Sequence, residues 1–203
     1  PKGASFPTRF ADYPGGAEYF DVYHGPITSV YSQVWWKSID NPIPEDIVKR
    51  FDGKVMAITG YESDQVFPGE GDTPDVSVPI TWAYNHHFES SIAGGNARFE
   101  KVKFTGEDDP RLVELLEERA ATGMGGHGIP SHEEHWMVIE DEEEKAAGGI
   151  PTKTAIGAGN GGEYRKSFHG YAPGYGQVIG SPHTLQLTPM QIDTWNRDHM
   201  KCE

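Results

Sequence analysis

Val76-Ser77-Val78-Pro79-Ile80-Thr81-Trp82-Ala83-Tyr84-Asn85-His86-His87-Phe88 is the stretch on which the reading of this chain turns. Val76, Val78, Ile80, Trp82 and Tyr84 alternate with smaller or polar residues, the two-residue period of a strand with one buried face. The run ends on adjacent histidines, His86 and His87, in a chain that holds nine. Imidazole is the commonest protein ligand for copper and zinc, so the expectation is a strand that delivers two ligands to one ion. Consecutive side chains on a regular strand leave on opposite faces. Both rings can reach one ion only where the strand ends, bulges or twists, and Asn85 with the polar Glu89-Ser90-Ser91 marks this region for a break. Otherwise one histidine is a hydrogen-bonded core residue and the other is exposed.

Composition narrows the classes around that strand. A length of 203 residues fits one domain, 1–203, here with an irregular arm over 1–18 and a long glycine-rich loop over 146–162. An apolar fraction of 36% with 25 Gly and 15 Pro favours a loop-rich β or α+β fold over a helix bundle. A net charge of −14 without a basic cluster argues against nucleic acid as a partner, because phosphate contacts need Lys and Arg. The single cysteine, Cys202, excludes an intramolecular disulfide and cysteine-rich metal sites. No run of about 18 apolar residues offers a membrane-spanning helix. The compartment and oligomeric state stay open, and a small molecule is the expected partner.

Outward from the central run, 19–23 and 28–37 read as strands around the turn His24-Gly25-Pro26, the second covered on both faces. Residues 44–51 read as a short helix opened by Pro44 and ended near Gly53. Strands are expected over 54–61, 98–104 and 134–139, and the clearest helix over 110–122, led by Asp109-Pro110 and stopped by Gly123. Towards the C-terminus the reading is a strand to Leu187 and a helix from Pro189, because Thr188-Pro189-Met190-Gln191 satisfies a capping box. Together these make an α+β fold, mainly antiparallel β, sandwich or barrel-like, with two or three short helices.

Further histidines are candidates to close the metal site. His127, His132 and His135 fall within nine residues beside Glu133 and Glu134, and His132 and His135 share one side of a helical turn if the segment is helical. The spacing is one residue short of the zinc motif His-Glu-x-x-His, and a polar surface loop is the bland alternative. His169 lies among Phe168, Gly170 and Tyr171, a composition that suits a pocket wall. Met190 offers a soft thioether that would favour copper, or is an ordinary core residue. Tyr84 and Tyr171 are expected to shape the pocket. No nucleophile elbow or P-loop occurs, and 157–162 lacks the glycine spacing and βαβ setting of a dinucleotide loop.

The run Tyr84-Asn85-His86-His87-Phe88 resembles the His-His element of the copper type II, ascorbate-dependent monooxygenases. That resemblance implies a strand-borne His-His pair completed by a later histidine, here His169 or His135, and a methionine imitated by Met190 at a second copper. The chain has no His-x-His and one cysteine, where that family has both His-x-His and disulfides. The runs Trp82-x-Tyr84-Asn85-His86-His87 and Pro189-Met190-Gln191-Ile192-Asp193 also resemble uncharacterised algal and protist proteins, which implies no function. The expectation is a histidine-ligated copper oxidoreductase acting on a small organic substrate. The alternatives are a non-enzymatic binding or structural protein with an aromatic-rich surface, and a zinc hydrolase with Glu133 or Glu134 as base.

Overall fold

A computed structural model describes residues 6–7, 13, 16–121, 134–143, 149–158 and 168–196 of the chain. In chain order, β1 (Phe6–Pro7) and β2 (Glu18–Tyr19) precede β3 (Val34–Trp36), β4 (Ile39–Pro42), α1 (Glu45–Phe51), β5 (Val55–Ile58) and β6 (Gly60–Tyr61). Next come β7 (Val66–Phe67), β8 (Val76–Ser77), β9 (Ala83–Gly94), β10 (Arg98–Lys103), α2 (Pro110–Ala121) and β11 (Glu134–Ile139). The last are β12 (Lys153–Ala158), β13 (His169–Gly170), β14 (Gln177–Gly180) and β15 (Pro182–Asp193). The fold is α+β and mainly antiparallel, with these two helices among the described residues.

Two 12-residue strands, β9 and β15, form the centre of a five-stranded sheet ordered β12-β9-β15-β3, with β4 beside β3 on the far edge of β15. The sheet is open: β12 and β3/β4 stand at opposite edges, and among the described residues no pairing joins them into a barrel.

Alternation along β9 sends Phe88, Ser90 and Ile92 to one face and His87, Glu89, Ser91 and Ala93 to the other. The first face holds the main core, where Ile92 meets Ile43, Ile47 of α1, Met56 of β5 and Ile179 of β14. On the second face Ala93 packs with Ala97 and Val138 of β11. The hairpin β10–β11 and α2 enclose a smaller core of Val102, Phe104, Leu112 and Met137.

Both helices carry local reasons to form. α1 has Glu45 and Asp46 in its first turn and Lys49 and Arg50 in its last, the arrangement that complements the helix dipole. Asp109, immediately before α2, accepts hydrogen bonds from the Arg111 and Thr105 backbone N–H groups, each at 3.0 Å.

Four expectations from sequence are corrected. The strand expected over 76–88 is split: β8 ends at Ser77, a turn closes on the Pro79 carbonyl, which accepts from Trp82 and Ala83, and β9 starts at Ala83. Proline has no N–H for a ladder, so the run breaks there and resumes beyond it. The helix expected from Pro189 is strand throughout β15, because pairing with β9 on one side and β3/β4 on the other outweighs a local capping signal. Pro189 falls where β4 has ended opposite Leu187 and β3 begins opposite Met190, a break that accommodates a proline. The span 146–162 contains β12, edge-paired to β9 despite its small residues. Of 28–37 only Val34–Trp36 is strand, and it is an edge with Val34 and Trp36 exposed rather than covered on both faces.

Candidate metal centre

The two central histidines stand at an irregularity in the longest ladder of the sheet. Met190 of β15 pairs with His87, and the next residue, Gln191, pairs with Asn85, so His86 is an extra residue in β9. This is a β-bulge, which leaves one residue without a ladder partner and re-aims its side chain. Its effect is to bring two rings together that a regular strand would separate. The His86 and His87 ring centroids are 4.0 Å apart with the planes tilted by 48°. Of the three conditions that alternation allowed, an end, a bulge or a twist, the bulge is the one present, and β9 runs on to Gly94.

Nδ1 of His86 is buried and makes no hydrogen bond. A buried polar atom left unsatisfied costs about 1–3 kcal/mol, and His86 shares this condition with Asn41 Nδ2 and Gln65 Nε2 elsewhere in the molecule. Two imidazoles sharing one ion, with bonds of about 2.0–2.1 Å, would have centroids roughly 5 Å apart at a tetrahedral angle. The observed separation is about 1 Å less than that. The two rings are thus in direct contact, closer together than two imidazoles on one tetrahedral ion. Imidazole is the donor type that copper and zinc take.

The surroundings of His87 are legible from the same register. Direct partners on antiparallel strands share a face with Cβ atoms about 4.5–5.5 Å apart. Trp36, Met190 and His87 thus form one row across β3, β15 and β9. Glu89 leaves β9 on that face, and α2 covers it with Arg119, whose Nε is 3.6 Å from Glu89 Oε1 and whose guanidinium lies 5.7 Å from the Trp36 ring centre. Lys153 of β12 contacts Glu114 at 2.5 Å and Glu118 at 3.7 Å.

Burial pushes the Glu89 carboxyl above the usual range against the pull of Arg119, and Glu118 adds to the rise. Glu118 is likewise raised by burial, with Lys153 opposing. Burial works against the charge on Lys153, but its hydrogen bond to Glu114 and the nearby carboxylates outweigh this and hold its pKa up. This charged layer beside His87 was missed from sequence. Its one signal, Glu89 two residues after His87, is hidden if the strand is ended at Phe88.

The remaining candidates are dispersed. Tyr84 is brought to the pair, its ring 5.2 Å from that of His86. His169 stacks on Tyr61 at 5.1 Å and meets the edge of Phe88 at 6.2 Å, and Phe88 leaves β9 on the face opposite His87. Tyr171 is exposed beyond β13, its hydroxyl bonded to Gln177 Oε1 at 2.7 Å. His135 is on β11, stacked 5.6 Å from Phe104, with exposed Glu134 before it. His132, His127 and Glu133 lie outside the described residues. Among the described residues no three His, Cys, Asp or Glu side chains gather as a metal-binding group. No helix among them is long and apolar enough to cross a membrane. Compared with protein-family models, curated proteins and solved structures, the chain has no match.

Proposed function

We propose that this chain is a histidine-ligated metalloprotein that holds copper in preference to zinc and acts as an oxidoreductase on a small organic substrate. The observation that supports the reading is the bulge at His86, which sets two imidazoles ring to ring and leaves a buried Nδ1 without a hydrogen bond. A shared ion would satisfy the orphaned nitrogen. Copper held by two imidazoles would keep open coordination positions and would supply one-electron and oxygen chemistry. Tyr84, beside His86, would present a ring and a hydroxyl to a substrate entering there. Arg119 and Glu89 pair on the same face of β9 as His87.

Titration of the metal-free protein with copper(II), followed by electron spin resonance, tests this. The expected spectrum shows one mononuclear site with nitrogen couplings from two imidazoles, absent in His86→Ala/His87→Ala. A wild-type spectrum indistinguishable from that of the double variant would refute it, and stoichiometric binding of zinc alone would move the chemistry to hydrolysis.

One observation favours a second reading, a non-enzymatic interaction protein. The edge strand β3 leaves Val34 and Trp36 exposed beside exposed Val30 and Tyr31. An apolar sheet edge is a surface on which partners dock. That reading expects folded protein without stoichiometric metal.

A further inference from the structure

We infer that the β3 edge of the central sheet pairs antiparallel with the same edge of a second copy of this chain, so that the sheet continues across a two-fold axis at Trp35. The inference names the partner for the exposed edge and goes beyond the metal reading, since nothing in it requires an ion. Its basis is the difference between the two edges of the sheet. At β12 the backbone is capped from outside: Gln177 Nε2 donates to the Ala155 carbonyl at 3.0 Å, and the Tyr61 hydroxyl donates to the Gly157 carbonyl at 2.9 Å. An edge covered in this way is a poor template for another strand. At β3 the side chains along the edge are apolar and exposed, Val30 by 67%, Tyr31 by 52%, Val34 by 48% and Trp36 by 37%.

The backbone of β3 is oriented to take a strand. The Asp193 N–H donates to the Gln33 carbonyl at 3.0 Å, which fixes the residues of this segment that face β15. Bonding alternates along an antiparallel strand, so Trp35, the partner of Gln191, also faces β15. The N–H and C=O groups of Val34 and Trp36 then point to the outer side. Among the described residues no strand pairs with β3 there.

Charge and register make the occupant a second copy. Between Asp21 and Asp40 the chain has no acidic residue, against 31 in the whole, and Lys37 is the one Lys or Arg there. A chain of net charge −14 repels its own copies, and at an edge without carboxylates that repulsion is low. The same edge carries nothing that would select a strongly charged partner. A two-fold at Trp35 sets Val34 of each copy opposite Trp36 of the other, the β-branched and aromatic pairing that stabilises sheets. It also sets Gln33 opposite Lys37 and Ser32 opposite Ser38, so no like charges meet. Both Val34–Trp36 pairs exchange backbone hydrogen bonds, and the two Trp35 side chains meet at the axis on the other face.

The test uses metal-free protein. Sedimentation velocity from micromolar to millimolar concentration should show wild type passing from one chain to two. Val34→Lys places a charge at an exposed position, so the fold is expected to survive, which circular dichroism checks. Its dimer dissociation constant should rise by roughly tenfold or more. Val178→Lys, at an exposed position on β14, should leave that constant unchanged. Geometry is read by Gln33→Cys/Lys37→Cys in a Cys202→Ser background. Within one chain those two positions are roughly 13 Å apart, too far for a disulfide, whereas across the axis they are direct partners. Mild oxidation should link the double variant into dimers, while each single variant stays unlinked.

Wild type that stays a single chain to millimolar concentration would overturn the inference and leave the metal reading untouched. A dimer as stable in Val34→Lys as in wild type, or one in which the double variant forms no disulfide, would overturn this edge as its seam. Failure to take up copper, by contrast, bears on the two histidines alone.

Discussion

Replacing Arg119 with methionine isolates the charge layer beside His87. Arg119 and Glu89 are an ion pair with side chains only 11% and 16% exposed, and methionine keeps most of the arginine stem against Trp36. What is lost is the cation, and Glu89 is left buried near Glu118. Breaking a buried pair by removing one partner costs about 3–5 kcal/mol. For a chain of this size, each kcal/mol lowers the melting midpoint by roughly 2–4 °C, so the expected drop is about 6–20 °C.

The cost has a built-in escape, because Glu89 can take up a proton. Its folded-state pKa already stands above the ordinary 4.5 through burial, and it rises further without Arg119. The deficit should therefore shrink by up to about 1.4 kcal/mol for each unit that pH falls below the variant's raised value. Urea unfolding of metal-free wild type and Arg119→Met at pH 8 and pH 5 reads both effects. Adding Glu89→Gln to Arg119→Met should recover part of the loss at pH 8 and little at pH 5. A deficit under about 1 kcal/mol at pH 8, or an equal deficit at both pH values, would refute the reasoning.

Other outcomes follow from the same structure. In the wild type, Glu89 and Glu118 hold protons to higher pH than they do in the unfolded chain, so their contribution to stability falls as pH rises from 4.5 towards their folded values; Glu89→Gln/Glu118→Gln should flatten that slope in urea melts. Asp109 behaves oppositely: its bonds from Arg111 and Thr105 hold its carboxyl well below the usual range, so stability gained above the ordinary carboxylate value is lost on acidification, and Asp109→Asn should lower the melting point at pH 7 more than at pH 3. A Cβ at Gly94 would sit 2.2 Å from the Gly180 carbonyl oxygen, so Gly94→Ala should cost about 1–3 kcal/mol or more in denaturant unfolding, while Gly149→Ala, with open space around it, serves as control. Ile179→Ala, at a fully buried position of the main core, should cost about 2–5 kcal/mol in the same assay.

Much of the fold was legible because most elements announce themselves locally. Pro44 and Ile47-Val48-Phe51 mark α1, Asp109-Pro110 marks α2, and alternation marks β10 and β11. Two of the failures share a physical cause, which is that long-range pairing outweighed local preference, whereas the run 76–88 broke locally at Pro79. β15 carries a capping box and a proline at Pro189, yet it is strand because β9 and the β3/β4 edge supply hydrogen bonds on both sides. β12 is built of small residues and has no alternation that predicts a strand; its partner defines it.

The site shows the same division. The adjacent histidines declared a question of geometry, and alternation stated the condition for a common ion, but a bulge depends on the partner strand and is invisible in one segment. The neighbourhood of Met190, Trp36 and His87 comes from three separated segments, whose register exists only in the folded sheet.

The central claim, that His86 and His87 hold one copper ion, is tested most directly by elemental analysis of protein purified without chelator or nickel affinity. Wild type should carry about one copper per chain, and His86→Ala/His87→Ala, folded by circular dichroism, should carry none. Metal-free wild type that takes up no added copper, or a double variant that keeps its copper, would contradict the account.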